Sequence, residues 1–330
     1  MGATEHIRGK WLRLALGLGL SGVALYLALR GVDLKQVGGT LSGAKAGFIL
    51  LALVGVALSH LMKVLRWKIL LGQPGAGVSA LRLLEALTVA QFFNLALPLR
   101  IGEISRVILL GRRGLSRSFV LGTIVLEKFL DLLIFALMFI ILLVLLPLPG
   151  WVNQPGIVLL FITACICVLL LAVVTWRSVL FSWLDRLSAR VTWRWWKRVQ
   201  GWLYSALSSL DILSSRMAML QLALVSAGVW GAAILTNQLV FQALGLDLPV
   251  TAALLVMVAL QAVFSLPSAP GKLGIFEYIC VLSLAVFALN QSIALSYGIL
   301  LHAIGYLPVI ALGFVFLWSQ GFSRAWKELL

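Results

Sequence analysis

Residues 119–146 read FVLGTIVLEKFLDLLIFALMFIILLVLL. As a helix rising 1.5 Å per residue, this run is about 40 Å long, more than the roughly 30 Å hydrocarbon core of a bilayer. Its charged residues, Glu127, Lys128 and Asp131, all lie in its first half. Glu127 and Asp131 share one helical face at i,i+4, and Lys128 and Asp131 form an i,i+3 pair. Ions inside such a run are costly against lipid, so they are expected to be paired, to face a cavity or to serve a function.

Working outward, five more apolar runs are long enough to cross a bilayer: Trp11–Leu29, Ala44–Leu65, Gly156–Thr175, Ala218–Val240 and Ile293–Leu317. Of the 330 residues 62% are hydrophobic and 11% charged, and the mean hydropathy is +1.08. That charged share is about half of what a soluble domain carries. The composition excludes a cytoplasmic enzyme, a secreted disulfide scaffold and a disordered tail. The first run follows Arg8, Lys10 and Arg13 and continues into more membrane sequence with no small-residue cleavage site, so it reads as an uncleaved first span.

The formal charge is +15. In a soluble domain such an excess suggests nucleic acid, but here the cations lie in short segments between apolar runs, where they set topology, and no nucleic-acid partner is expected. Placing 21 of the 26 Lys and Arg on one side gives six crossings with both termini cytoplasmic. Arg30, Lys35, Lys45 and Lys272 fall on the other side, and Lys128 lies within a run. The expected location is a multi-pass protein of the cell's inner, cytoplasmic membrane.

Two regions break this pattern. Leu83–Leu97 is short and runs into a polar cluster, and Val250–Leu266 is interrupted by PSAPGKLG before Ile275–Leu289 resumes. Opened backbone at membrane depth is tolerated only where protein or water surrounds it. The expected fold is therefore an all-α polytopic membrane protein, one integral membrane domain over 1–330. It has six full transmembrane helices plus two broken re-entrant hairpins or short helix pairs, the hairpins favoured. Aligning Pro98 with Pro270 places Gly102 on Gly274. One region opens inward and the other outward, the inverted-repeat construction common among alternating-access transporters. The connection over 177–217, with Trp193, Trp195 and Trp196 among its arginines, reads as a cytoplasmic, interfacial segment.

The first break carries Asn94, Pro98, Arg100, Gly102, Glu103 and Arg106. Glu103 and Arg106 can pair at i,i+3, while free N–H groups at a helix start and arginine forks suit phosphate. The bland reading is a hairpin tip held by that salt bridge. The second break carries Pro267, Pro270, Gly271, Lys272, Gly274 and Glu277, and a phosphate-binding nest fits its chemistry. It lacks the Walker spacing. Expected headgroup-binding residues are Asn94, Arg100, Glu103, Arg106, Glu127, Asp131, Lys272 and Glu277; expected hairpin-shaping residues are Pro98, Gly102, Pro267, Pro270, Gly271 and Gly274. Lys128 is expected to pair with Asp131 and Glu127 with Arg100. Lys63, Arg66 and Trp67 read most simply as an interfacial anchor closing the second span. Cys165, Cys167 and Cys280 read as small hydrophobes, and His6, His60 and His302 are scattered, so neither metal nor cofactor is expected.

The three segments FFNLALPLRIGEISR (92–106), GTIVLEKFLD (122–131) and FSLPSAPGKLGIFE (264–277) resemble signatures of the lysylphosphatidylglycerol synthase transmembrane region, and the resemblance covers essentially the whole chain. It implies a flippase-like membrane domain. Where that domain is fused to a soluble aminoacyl transferase, the resemblance implies that it moves the modified lipid. The sequence runs thirteen residues past its last apolar run, so such a transferase is not expected in it. The expected function is thus a flippase or transporter of an anionic or phosphate-bearing lipid, with membrane lipids and a separately encoded lipid-modifying enzyme as partners. The alternatives are a membrane-embedded transferase or hydrolase acting on a lipid phosphate, with Glu127 or Asp131 as base, or a noncatalytic partner subunit.

Overall fold

The computed structural model describes residues 17–96, 102–112, 114–190, 195–263 and 269–319. Pro98, Arg100, Pro267 and the start of the first run lie outside the described residues. Within them the chain is helical: α1 (Gly17–Leu29), α2 (Leu34–Ser42), α3 (Ala46–Leu71), α4 (Ala80–Ala96), α5 (Gly102–Gly111), α6 (Arg117–Leu145), α7 (Gly150–Thr175), α8 (Arg177–Arg190), α9 (Trp196–Leu207), α10 (Arg216–Ala243), α11 (Val250–Val263), α12 (Ile275–Ala285) and α13 (Gln291–Ser319).

Five of these helices, α3, α6, α7, α10 and α13, are long and apolar enough to cross a membrane, and α1 with α2 makes a sixth, bent by 85°. The bend falls at Asp33, whose side chain accepts the Lys35 N–H and caps α2. The protein is an all-α polytopic membrane protein. Its helices turn large apolar side chains outward, as Val144, Phe161 and Trp318 show. Two spans are longer than hydropathy suggests. The fourth begins at Gly150 and carries Pro155 inside its first turns, and the second runs six residues past Leu65.

α3 and α10 form the central antiparallel pair. Lys45 donates its N–H to the Ala243 carbonyl at one end, and Ser59 Oγ donates to the Val229 carbonyl farther along. Small residues permit the approach: a Cβ on Gly55 would lie 2.5 Å from Thr236 Oγ1. Each of these helices is followed by a broken hairpin and then a long span, α3 by α4/α5 and α6, α10 by α11/α12 and α13. The packing repeats as well. α5 lies on α6 and α12 on α13, while α4 crosses to α13 and α11 crosses to α6. Because α3 and α10 run in opposite directions, the hairpins that follow them enter from opposite ends. The two halves are an inverted repeat.

The hairpins are shaped by two glycines. A Cβ on Gly102 would sit 1.8 Å from the Ala90 carbonyl oxygen, so only glycine lets α5 fold back on α4. Gly274 has φ +85° and its Cβ would lie 2.4 Å from the Ser21 carbonyl, so it is required both for the turn and for the contact with α1. The second hairpin's tip, Pro270–Lys272, packs against α4 of the first, so the two hairpins touch.

Candidate functional site

The centre of the first half is an ion network built from α3, α5 and α6. Glu127 lies 11 residues into α6, and its two oxygens meet two guanidiniums: Arg106 Nη2 at 2.5 Å and Arg66 Nη2 at 3.5 Å. Arg66 Nη1 donates to Asp131 Oδ1 at 2.7 Å, one helical turn further along α6. Arg106 Nη1 donates to Glu103 Oε2 at 3.0 Å, and Lys128 Nζ reaches the other Glu103 oxygen at 2.9 Å. The Trp67 ring lies 4.0 Å from the Arg106 guanidinium carbon, and its Nε1 donates to Thr123 Oγ1. Lys63, one turn before Trp67, stands within electrostatic reach of Asp131 and Glu127.

The local sequence explains how the helices deliver these groups. Arg66 and Trp67 sit near the end of α3, where that helix passes α6, and the α4/α5 hairpin brings Arg106 to the same level. Asn94 Oδ1 accepts the Gly102 N–H at 2.9 Å, so Asn94 caps the start of α5. Arg66 and Arg106 are each 1% exposed, as buried as any apolar residue in the protein. A buried guanidinium is stable only when its charge and its N–H groups are satisfied. The charge is met; the hydrogen bonding is not complete. Among the described residues, Arg66 Nε and Arg106 Nε are both buried without a hydrogen-bond partner. Among the described residues Arg66, Arg106 and Lys128 pair with Glu103, Glu127 and Asp131, three cations against three carboxylates, with Lys63 beside them.

Several expectations need correction. Glu103 does pair with Arg106, but Lys128 pairs with Glu103 and not with Asp131, which Arg66 takes. Among the described residues Glu127 answers Arg106 and Arg66 rather than Arg100, which lies outside them. Arg66 and Trp67 are not an interfacial anchor. They are fully buried because α3 continues through Leu71 and carries them into the bundle. The sequence held only a partial signal: beyond Lys68 the chain stays apolar through Ile69, Leu70 and Leu71.

Glu277 of the second break pairs elsewhere. Glu277 is buried in the first turn of α12, where its Oε2 accepts the Gly274 N–H at 2.7 Å and its Oε1 meets His302 Nδ1 at 2.5 Å. The N–H groups that a phosphate nest would need are already used at three positions. Gly274 gives its N–H to Glu277, Lys272 to the Ala269 carbonyl, and Ala269 to Ser21 Oγ. His302 was not among the expected site residues, although a lone histidine inside an apolar run is itself the signal.

The sequence matches the family described as the lysylphosphatidylglycerol synthase TM region over residues 14–313. The chain belongs to this family. The match takes in both hairpins, the ion network and the Glu277–His302 pair. Membership ties the protein to a lipid-related membrane function and agrees with its multi-pass helices. No curated protein matches the chain.

Proposed function

We propose that the protein moves a lipid with an anionic, phosphate-bearing headgroup between leaflets. The observation that carries this reading is the pair of buried guanidiniums, each with an Nε that has no partner among the described residues. Arginine forks bind phosphate oxygens in pairs, and a headgroup oxygen can compete for the donors now held by Glu103 or Asp131. Those two carboxylates are the more open ones, 28% and 24% exposed, so an incoming anion displaces them before it displaces Glu127. Glu127 holds a guanidinium at each oxygen, which suits it as a fixed counter-charge and not as a proton-accepting base.

Hairpins entering from opposite ends give the headgroup a polar path while the tails stay against the apolar helix faces. Asn94 at the end of α4 and Lys272 at the tip of the second hairpin carry polar groups to the two breaks. In this reading both termini lie on the cytoplasmic side of the cell membrane, which the distribution of basic residues supports, and a separately encoded lipid-modifying enzyme supplies the substrate.

The test is translocation of fluorescent NBD-phosphatidylglycerol in proteoliposomes, followed by dithionite quenching beside zwitterionic NBD-phosphatidylcholine. Arg106→Lys and Arg66→Lys keep the charge and lose the fork. A charge-assisted contact of about 1.5–3 kcal/mol corresponds to a loss of about tenfold or more in rate for the anionic probe. Thermal-stability measurements on each variant separate transport from folding. Folded variants with wild-type rates, or equal wild-type rates for both probes, would remove the anion site.

A further inference from the structure

Each half of the inverted repeat carries one polar contact between the second helix of its hairpin and the long helix that follows. In the first half Arg106 of α5 meets Glu127 of α6; in the second Glu277 of α12 meets His302 of α13. Glu127 is the eleventh residue of α6 and His302 the twelfth of α13, and each helix has 29 residues. At 1.5 Å per residue the contacts lie about 15 and 17 Å from the starts of helices that begin at opposite ends. The positions correspond, but the chemistry does not. A guanidinium keeps its proton, whereas an imidazole changes charge between pH 5 and 8 in ordinary surroundings.

We infer that the Glu277–His302 pair is a proton-binding site whose occupancy sets the position of the second hairpin. This deepens the translocase reading by naming its coupling ion, and it rests on that reading only for the transport measurement below. Both residues are under a tenth exposed, and the Phe276 and Tyr306 rings each lie 4.4 Å from the His302 ring. The Glu277 carboxylate ties two parts together, holding the Gly274 N–H at the hairpin turn with one oxygen and α13 with the other. The turn presses on α1 through Gly274 and Ser21, and its Pro270–Lys272 tip packs on α4 of the opposite hairpin. A change in the pair is therefore felt where the two hairpins meet.

Among the described residues, the elements around the pair bring the following titratable groups. α12 adds Cys280, α13 adds Tyr306, and the turn adds Lys272. α11 has no titratable side chain, and α1 presents Ser21. Asn237 of α10 is bonded to Tyr297. On α3, His60 is bonded to Gln91 of α4 and Lys63 stands beside Asp131 of the other network; on α4, Glu85 stands beside Arg82. Asp33 of α2 lies at the start of α13, where its N–H donates to Ser292, with Lys35 beside it. Carboxylate with neutral imidazole carries a net charge of −1; one proton taken from water gives carboxylate with imidazolium, net zero. The neutral pair is the better buried state, so proton binding tightens the tie to α13 and release loosens it.

Histidine-labelled protein in nanodiscs gives the direct readout, since it has His6, His60 and His302 alone and His6→Gln and His60→Gln assign the third imidazole. Its NMR signal, followed from pH 5 to 8.5, is expected to change with pH, and to do so differently in Glu277→Gln. Spin labels at Leu273 and Leu81, both exposed, report the distance from the tip to the start of α4, with Cys165 and Cys167 replaced. Two pH-dependent distance populations are expected in the otherwise wild-type protein and one in His302→Gln. Both wild-type measurements stand even if a variant fails to fold. A His302 signal constant across the range, or a distance independent of pH, would overturn the inference. With NBD-phosphatidylglycerol, a pH gradient should change the wild-type rate severalfold and leave His302→Gln unaffected. An active wild type whose rate ignores the gradient would also overturn the inference. Absence of translocation at every pH, with His302 titrating and the hairpin moving, would count against the translocase reading and leave the proton site standing.

Discussion

Glu127→Gln preserves the shape of the side chain at the centre of the ion network and removes its charge. Glu127 faces Arg106 at 2.5 Å and Arg66 at 3.5 Å, and both guanidiniums are 1% exposed. Removing one member of a buried ion pair costs about 3–5 kcal/mol, because the partner stays buried and uncompensated. Here each guanidinium keeps a second carboxylate, Glu103 for Arg106 and Asp131 for Arg66, so the loss falls at the lower end, about 3 kcal/mol. Glu103→Gln and Asp131→Asn remove carboxylates that are 28% and 24% exposed and leave Glu127 in place. Each of these should cost about 1 kcal/mol, as a partly solvated pair does. The assay is reversible unfolding in mixed micelles or bicelles, with the three single variants compared in one lipid composition. The ordering carries the test. If Glu103→Gln or Asp131→Asn were as destabilising as Glu127→Gln, the assignment of Glu127 as the shared counter-charge would be wrong.

Gly102→Ala must push α5 away from α4, because its Cβ would sit 1.8 Å from a backbone oxygen; unfolding should show a loss of at least the 1–3 kcal/mol typical of overpacking. Wild-type stability in that variant would mean the hairpin is not packed as described. The Asp185 carboxylate accepts from Tyr204 and Gln200 and joins α8 to α9; its hydrogen bond and charge raise the Tyr204 phenol above its ordinary value. Difference absorbance titration of Asp185→Asn should show one tyrosine ionising at lower pH than in wild type, and an unchanged titration would break the link. The exposed Trp183, Trp195 and Trp202 should be quenched by brominated lipids at headgroup depth; quenching from water alone would remove α8 and α9 from the membrane surface.

The sequence by itself determined the membrane class, the long spans and both breaks, because hydropathy and Pro/Gly punctuation are properties of contiguous residues. It also determined the Glu103–Arg106 pair, since an i,i+3 contact is fixed by the geometry of one helix. The Asn94 cap and the Gly102 close approach were legible only as a polar, glycine-bearing break, not as a particular bond. Tertiary structure alone decided which distant charges meet. Arg66 lies 61 residues from Glu127, and Glu277 lies 25 from His302. An arginine near the end of an apolar run has the same hydropathy whether it points to headgroups or into the bundle. Only the packing of α3 against α6 tells the two apart. The antiparallel contact of α3 with α10 likewise turned a five-position similarity between two breaks into an inverted repeat. A helix direction relative to its neighbour is written in no single segment; it follows from how both bury their small and polar faces together.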